Sequence, residues 1–537
     1  MAILPIRDLG SVGVVTDKSP YNIPLNSFST AINCRFDEGK ALRAPIFRNI
    51  KDTLGFTPRF TYGIVPTSGF DSVLMVSDDW AIHEYASGTV SNRSGSITGS
   101  SSPQPYTGTS LADVTYINRK DRVPVYRDAT STNFADLPNW DSTWRANSVR
   151  SYGDFLLAIG LTEGANNYPT RVRWSNLVQA NQVPDSWDEF DTTKSAGFND
   201  LVQFKTELID GMPLGSNFIL YSADQVWLME FVGGTFIFNF RQLFNDAGVI
   251  NQNCVVEVEN KHFCFSAFDI YIHDGTTKQS ICDERVKNFI FSSLNNAAAD
   301  VCFVQHNPTL NEVYFCYQSG DQYTGFPNAD RCNRAACYNY RADTWSFMDL
   351  PNVSSGTIAN VNSVATYATS TTTYNLTGGT YYQQQNSFDR HTLMVGETLT
   401  ADGITSDKLY GIDLSDGGQI AFQLDTEATK PVYLERTGID LDEAGLGASQ
   451  YVVCTRIYPQ ADTQNTNDQT INFEFGASDI PRSTPTYQSL VTFDMATDHK
   501  IDSRSAGRYL SYRVTIPDNK DFEISGFDLE VTATGRR

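Results

Sequence analysis

Short apolar runs separated by polar turns follow one another along most of the chain, and long stretches with helical periodicity are scarce. In residues 72–85, an apolar run is followed by a polar turn and by a second run that carries Trp80 and Tyr85. Runs of this length between turns are typical of β-strands. The same two-strand unit recurs at 113–117 with 123–126, 154–159 with 171–174, 217–221 with 225–229, 262–265 with 269–275, 312–317 with 335–340 and 344–346, and 391–395 with 408–413.

The spacing of these units predicts the fold. They recur at uneven intervals of roughly 40 to 50 residues, which is within the range of propeller blades. We therefore expect an all-β protein in which residues 51–414 form a β-propeller of roughly five to seven blades with inserted loops. A stack of β-sandwiches is the alternative. The 33 Phe and 26 Tyr agree with a strand-rich fold, because aromatic side chains suit a pleated, half-buried surface.

The two ends of the chain differ from the middle. Four prolines punctuate residues 1–50, and proline favours extended backbone, so this region is predicted to be an extended arm. Within the arm, runs at 31–36 and 41–43 flank a glycine-containing turn, which is typical of a β-hairpin. Residues 415–537 are predicted to contain an acidic segment and a small C-terminal β-domain, with strands at 451–458, 470–475, 509–516 and 522–531.

Two stretches rich in Ser and Thr interrupt the strand units. Residues 87–110 are predicted to be a flexible loop. Residues 354–385 form either a disordered loop or an insertion that orders against a neighbouring subunit. Beyond them the charge shifts, since eleven acidic residues between positions 397 and 443 face only three basic ones.

The whole chain is acidic, with 62 Asp and Glu against 40 Lys and Arg and a formal charge of −22. This balance argues against ordinary DNA binding, which depends on clustered cations that neutralise phosphate. It is compatible with passive contact, in which repulsion keeps a moving duplex from sticking, although acidity taken alone is more often a matter of solubility. The N-terminal apolar run is too short for a signal peptide, and no stretch approaches the ~20 apolar residues that span a bilayer.

No catalytic, cofactor-binding or metal-binding residue is predicted. The nine cysteines are expected to be reduced, buried thiols, and the spacing of Cys332 and Cys337 is not that of a zinc knuckle. Residues 269–275 lack the alternating oxygen ligands of a calcium loop. Neither a nucleophile elbow nor a P-loop is present. The six histidines are too scattered for a metal motif: His83, His262, His273, His306, His391 and His499.

Several segments resemble one protein family, and together they touch both ends and the middle of the chain. They are residues 26–36 with Asp37, Gly39 and Lys40; 217–240; 312–317 with 338–340 and 345–346; 505–513; 524–531; and 535–537. These segments resemble the tail nozzle proteins of short-tailed bacteriophages, also called tail tubular or packaged-DNA stabilisation proteins.

The resemblance implies a non-enzymatic structural protein of the virion tail, made in the cytoplasm of the bacterial host. It implies a β-propeller with additional tube-forming elements, assembled as a homohexameric ring below the portal and the adaptor ring. Such a ring retains packaged double-stranded DNA without reading its sequence, contacts the adaptor and possible tail fibres, and opens for DNA ejection. The residues that line the channel or contact the adaptor stay unassigned.

Two alternative functions remain open beside this one, and three basic residues have two interpretations. Asp185, Asp188 and Glu189 around Trp187 could build a sugar platform in a receptor-binding or polysaccharide-degrading tail propeller, although a turn with one core aromatic residue is the commoner arrangement. An exported surface propeller would need an export signal, and none is visible. The basic residues Arg508, Arg536 and Arg537 either neutralise a neighbouring subunit or belong to a solvated tail, which is the simpler interpretation.

Overall fold

The structure is a computed structural model in which nearly all ordered elements are β-strands. It describes residues 2–51, 53–66, 71–86, 88–97, 99, 104–234, 236–320, 330–360, 391–399, 405–413, 432–441, 450–462, 469–480, 482–516 and 522–535. The Arg536–Arg537 pair, most of the predicted insertion at 354–385 and most of the acidic positions between 397 and 443 lie outside these ranges. Among the described helices, none is long and apolar enough to cross a membrane.

Seven strands precede the first complete blade of the propeller. They are β1 (Ala2–Ile6), β2 (Gly13–Val14), β3 (Ser27–Phe28), β4 (Thr30–Ile32), β5 (Cys34–Asp37), β6 (Lys40–Arg43) and β7 (Ile46–Lys51).

Seven groups of four antiparallel strands, here called blades 1 to 7, form the middle of the described structure. Blade 1 contains β8 (Pro58–Ile64), β9 (Ser72–Ser77), β10 (Ile82–Ala86) and β11 (Thr89–Asn92); blade 2 contains β12 (Tyr106–Leu111), β13 (Val114–Arg119), β14 (Val125–Arg127) and β15 (Ala135–Asp136); blade 3 contains β16 (Trp144–Tyr152), β17 (Phe155–Glu163), β18 (Asn166–Trp174) and β19 (Gly197–Asp200); blade 4 contains β20 (Leu208–Leu214), β21 (Asn217–Ser222), β22 (Val226–Phe231) and β23 (Phe238–Phe244).

The remaining blades continue in chain order, with two short helices between blades 5 and 6. Blade 5 contains β24 (Val255–Val258), β25 (Lys261–Phe265), β26 (Ile270–His273) and β27 (Lys278–Ser280); helix α1 (Lys287–Ser293) and a 3₁₀ turn (Asn296–Val301) follow; blade 6 contains β28 (Phe303–Asn307), β29 (Glu312–Tyr317), β30 (Cys332–Asn339) and β31 (Thr344–Val353); blade 7 contains β32 (Ser355–Ala359), β33 (His391–Leu399) and β34 (Thr405–Asp413) together with β7.

The blades close into a ring. The first strand of each blade contacts the first strand of the next, from β8 through β12, β16, β20, β24 and β28 to β32, which contacts β8 again. Blade 7 takes its outer strand from the other end of the chain, because β34 pairs with β7. The ring is therefore closed by strand pairing between segments about 360 residues apart, as in Ile412 opposite Phe47.

Eight further strands complete a second unit, which we call the terminal sandwich. They are β35 (Val432–Ile439), β36 (Tyr451–Asp462), β37 (Thr470–Ser478), β38 (Thr486–Tyr487), β39 (Val491–Asp494), β40 (Ile501–Gly507), β41 (Tyr509–Ile516) and β42 (Glu523–Gly535). One sheet has the order β40-β36-β42-β6-β5, with β1 also paired to β42, and the other has the order β4-β35-β41-β37-β38. Phe527 of the first sheet lies 5.8 Å from Phe473 and 5.0 Å from Tyr512 of the second, measured between ring centroids.

Burial along the strands explains why the two units differ in sequence. All six residues of β9 are buried, and so are the first seven of β17, because inner blade strands are covered on both faces by neighbouring blades. Buried and exposed residues alternate strictly along β40, because one face of a sandwich sheet meets the core and the other meets solvent. Continuous apolar runs therefore mark the blades, and alternating runs mark the sandwich.

The junction between the two units is a continuous sheet. Strand β4 pairs with β31 of blade 6 on one side and with β35 of the sandwich on the other. The strand predicted at 31–36 is interrupted at Asn33, whose positive φ of 60° turns the chain from β4 into β5 of the opposite sheet. Asparagine tolerates this conformation better than most residues. Its side-chain oxygen also accepts a 2.8 Å hydrogen bond from the backbone N–H of Asp349.

The expected all-β fold, a propeller with inserted loops and a smaller C-terminal β-unit, is confirmed by this strand pairing. The seven blades fall within the expected range. The N-terminal region is used by both units, since β7 belongs to blade 7 whereas β1, β4, β5 and β6 belong to the terminal sandwich. Gly13 shows how tightly this region is placed, because a Cβ there would lie 2.8 Å from the carbonyl oxygen of Trp345 in blade 6.

Candidate functional site

The inner strands of all blades converge on the axis of the propeller, where a site or a channel would lie. Arg150 on β16 donates from Nε and Nη2 to the two carboxylate oxygens of Asp210 on β20, at 2.8 and 2.6 Å. Ser148 donates to the same carboxylate at 2.6 Å. Burial raises the pKa of Asp210, but the charge and hydrogen bonds of Arg150 outweigh it and the pKa is lowered overall. Both groups are therefore held in their charged forms.

Asn253, which precedes β24, extends this pair across the axis. Its side-chain oxygen accepts from Arg150 Nη2 at 3.0 Å, and its side-chain nitrogen donates to the carbonyl oxygen of Tyr106 at 2.9 Å. Its backbone N–H donates to Asp210 at 3.0 Å. Blades 2 and 5 stand three positions apart in a ring of seven, so these contacts cross the centre. At this level the propeller axis is filled by protein and cannot admit a duplex.

Hydroxyl side chains tie neighbouring inner strands together elsewhere in the ring. Thr61 of blade 1 lies 3.1 Å from the hydroxyl of Ser355 in blade 7, through both its backbone nitrogen and its Oγ1. Thr109 of blade 2 and Ser151 of blade 3 are 2.8 Å apart through their hydroxyls. Because inner strands of adjacent blades do not pair through their backbones, these side chains satisfy backbone donors that would otherwise be buried alone.

The acidic turn that the sequence analysis proposed as a sugar platform lies in blade 3. Trp187 is buried against Trp140, with ring centroids 4.9 Å apart, so its face is covered. Asp185 is paired with Lys194 at 2.5 Å, and Glu189 is paired with Arg173 at 2.7 Å. A hydrogen bond to Lys194 lowers the pKa of Asp185. These contacts favour the structural interpretation, in which the turn is fastened by ion pairs around one core aromatic residue.

Two of the scattered histidines meet in the interior between blades 4 and 5. The hydroxyl of Tyr221 lies 2.6 Å from His262 Nδ1 and 2.6 Å from His273 Nε2. His262 Nε2 lies 2.7 Å from the carbonyl oxygen of Pro213, and the backbone N–H of Gly275 donates to His273 Nδ1 at 3.2 Å. We call this set the histidine–tyrosine chain.

Only one arrangement of hydrogens satisfies every member of this chain while the rings stay neutral. A carbonyl accepts only, so His262 carries its hydrogen on Nε2 and Nδ1 accepts from Tyr221. His273 Nδ1 accepts from Gly275, so Nε2 donates to the Tyr221 oxygen. Burial lowers the pKa of His262 to about 4, and burial together with His262 lowers the pKa of His273 to about 3. Near neutral pH the histidine–tyrosine chain is therefore uncharged, and its role is to pack blades 4 and 5 together.

The remaining candidate groups give no metal or redox site. All nine cysteines are buried and unpaired, and burial raises the pKa of Cys302 to about 12, which makes its thiol inert. Within the described residues, no group of three or more His, Cys, Asp or Glu side chains is arranged to hold a metal ion. The sequence analysis missed the axial set of Arg150, Asp210 and Asn253, although charged residues inside apolar strand runs were a signal that could have indicated it.

Comparisons with known proteins add little beyond the fold. No protein-family model matches the chain, and no curated protein matches it. Among solved structures, the chain is similar to a chain of the "Crystal Structure of Mitotic Checkpoint Complex", with 11% sequence identity, a TM-score of 0.38, and coverage of 68% of this chain and 93% of that chain. The strand pairing described above is therefore the better basis for the propeller assignment.

Proposed function

We propose that this protein is a structural subunit of the tail nozzle of a short-tailed bacteriophage. Six copies form a ring below the portal and the adaptor ring, continue the DNA channel, retain the packaged DNA and let it pass on ejection. The chain works as a mechanical part of the virion tail, without a catalytic site, and contacts viral double-stranded DNA without reading its sequence. Tail fibres are further candidate partners.

One observation supports this proposal above the others: the segments that resemble nozzle proteins at the two ends of the sequence are neighbours in space. The resembling hairpin contains β5 and β6, and β6 pairs with β42, where Ile524 lies opposite Ala41. The resembling C-terminal segments, at 505–513, 524–531 and 535–537, overlap β41 and β42. The likeness at the two ends of the chain thus falls on one physical unit, the terminal sandwich, while the other resembling segments lie in blades 4 and 6.

The structure also constrains where a DNA channel would lie under this proposal. Because Asn253 and Arg150 fill the propeller axis, DNA would pass between copies of the chain, around a common ring axis. Six copies with −22 each would carry a formal charge of −132. A lumen lined by part of this charge repels phosphate, so DNA slides without adhering.

The test is the assembly state of the purified protein, alone and mixed with the adaptor protein of the same phage. We expect particles of about 360 kDa per nozzle ring, which is six times 59.7 kDa, and six-fold class averages in negative-stain electron microscopy. Light scattering coupled to size-exclusion chromatography gives the mass of the particles, and circular dichroism tests whether the protein is folded. A folded chain that stays at 59.7 kDa, forming no ring even with the adaptor, would overturn the proposal.

The polysaccharide-degrading alternative makes a separate prediction about the turn in blade 3. If Asp185 and Glu189 were catalytic, replacing either would abolish release of reducing sugar. Because both carboxylates are held in ion pairs, we expect neither turnover by the unaltered protein nor a change in the D185N and E189Q variants. Reducing-sugar assays on capsular and lipopolysaccharide substrates measure this directly.

A further inference from the structure

A groove of about 490 Å³ lies between the outer strands of blades 3 and 4, away from the features used so far. Asn199 and Gln203 line it at the outer edge of blade 3, and Trp227, Phe236 and Asn239 line it from blade 4. Aromatic surface and uncharged amides thus face one another across a space large enough for a small ligand, which is a common composition of binding sites.

Trp227 forms part of the groove and carries an unsatisfied donor. Its side chain is 7% exposed and packs on Phe204, with ring centroids 5.1 Å apart. Its Nε1 has no hydrogen-bond acceptor in the described part of the chain. A buried donor without an acceptor is unfavourable, so buried indole N–H groups are usually bonded. Less than 1 Å² of this nitrogen is accessible, so a ligand oxygen reaches it only if neighbouring side chains move.

The rim of the groove presents groups that are free to bind. Phe236 is 78% exposed and Val232 is 53% exposed, so apolar surface at the rim is accessible to a ligand. The exposed amides of Asn199 and Gln203 form no side-chain hydrogen bond with any residue that the structure describes. Each amide offers both a donor and an acceptor, whereas a carboxylate offers acceptors alone.

The groove is close to electrically neutral. Asp200 is its one acidic lining residue, and Arg171 binds both oxygens of that carboxylate, at 2.7 and 2.8 Å. Glu230 accepts a 2.6 Å hydrogen bond from the lining residue Asn239, so an anionic ligand would meet a second carboxylate and no cationic lining residue. A ligand rich in hydroxyl groups, with apolar C–H faces between them, matches the lining better, because hydroxyls pair with amides and C–H faces pack on Phe236.

We propose that this groove binds a neutral oligosaccharide, with a pyranose face on Phe236 and hydroxyl groups on Asn199 and Gln203, beside the buried ring of Trp227. The proposal concerns binding alone and includes no bond cleavage. It is independent of ring assembly, because binding to the groove is measured on one chain and assembly is measured by mass. A proline-rich peptide is the competing class of occupant, since such peptides also use aromatic grooves and indole donors.

The experiment uses the full chain labelled with 5-fluorotryptophan, whose ¹⁹F spectrum has one resonance for each of the seven tryptophans. The W227F variant assigns the Trp227 signal. Probes are neutral linear oligosaccharides of glucose, mannose, galactose and N-acetylglucosamine, and a proline-rich decapeptide. We expect at least one oligosaccharide to shift the Trp227 resonance saturably, while the resonance of buried Trp345 stays fixed.

Three variants test whether the oligosaccharide binds in the groove. F236A should weaken oligosaccharide binding about tenfold, and Q203A should weaken it several-fold, because each removes a group that contacts the ligand directly. F268A is the matched control, since Phe268 is 79% exposed on blade 5 and outside the groove, and it should leave affinity unchanged. The proposal is overturned if no oligosaccharide shifts Trp227, if only the peptide does, or if F236A and Q203A bind as tightly as F268A.

Discussion

Two sets of polar residues in the interior of this protein form closed hydrogen-bond networks, and the two sets differ in protonation state. The axial pair of Arg150 and Asp210 is charged, whereas the histidine–tyrosine chain is neutral. The difference follows from the available partners, because Asp210 gains a cation and His262 gains only a carbonyl and a phenol. A sequence contains no local signal for such a choice, since the partners come from different blades.

The histidine–tyrosine chain makes the stability of the protein depend on pH. Its two histidines titrate in the folded protein at about 4 and about 3, below their ordinary value of 6.5, so the unfolded chain binds more protons between these limits. Their contribution to the free energy of unfolding is complete above pH 6.5 and is lost as the pH falls. We expect a loss of roughly a few kcal/mol between pH 7 and pH 4.

Urea denaturation at several pH values measures this loss. A variant with H262N and H273Q lacks the titrating groups. Its unfolding free energy should be lower at pH 7 but should change less between pH 7 and pH 4. H499Q is the control, because His499 is exposed and should leave the slope unchanged. If the unfolding free energy of the double variant depended on pH as steeply as that of the unaltered protein, the histidine–tyrosine chain would not be the source of this dependence.

At the level of elements, two short N-terminal segments hold the architecture together. Strand β7 completes blade 7, and β5 of the hairpin packs the terminal sandwich against β30 and β31 of blade 6. Arg35 of the hairpin donates to Glu312 of β29 at 3.3 Å and to Asp37 at 2.7 Å. Glu312 is fully surrounded by protein and also accepts from Tyr314 at 2.9 Å.

The losses of stability from replacing Arg35 and Glu312, which form a buried ion pair, should not add. R35M leaves the Glu312 carboxylate buried without its cation, and we expect this variant to lose about 3–5 kcal/mol of unfolding free energy. The R35M, E312L double variant should lose clearly less than the sum of the single losses. Chemical denaturation of the unaltered protein, the R35M and E312L single variants and the double variant gives the coupling energy. Additive losses would show that the two groups act independently.

Closure of the ring by β7 predicts a large effect from one side chain there. Phe47 is 4% exposed, and F47A should destabilise the protein by about 3–5 kcal/mol because it leaves a cavity at the closing strand. F268A makes the same change at a side chain that is 79% exposed and should cost little. Equal midpoints of thermal unfolding for the two variants would contradict the closure by β7.

For the whole molecule, the sequence predicted the repeat but could not predict its closure. Apolar runs such as β9 and β17 are local, so the blades were visible in order along the chain. The pairing of β7 with β34, and of β4 with both β31 and β35, joins segments hundreds of residues apart. Nothing within a segment specifies such a partner. The sequence analysis did not predict the groove between blades 3 and 4 for the same reason, since its lining residues come from two separate blades.

The acidity of the whole molecule predicts how it treats nucleic acid. With a formal charge of −22 the purified protein should not retard a DNA duplex in an electrophoretic mobility assay, even at low ionic strength. Screening by salt should not produce a complex either, because repulsion is reduced without being replaced by attraction. A complex that forms at low salt and dissociates at high salt would instead reveal a clustered cationic surface.

The most direct measurement of the proposed function is an electron cryomicroscopy reconstruction of the tail of the virion that encodes this chain. The proposal predicts six copies of the propeller and terminal sandwich around the tail axis, immediately below the adaptor, with the DNA channel passing between the copies and outside each propeller. A tail whose axial density below the adaptor is built from a different fold, with this chain absent from the axis, would contradict it.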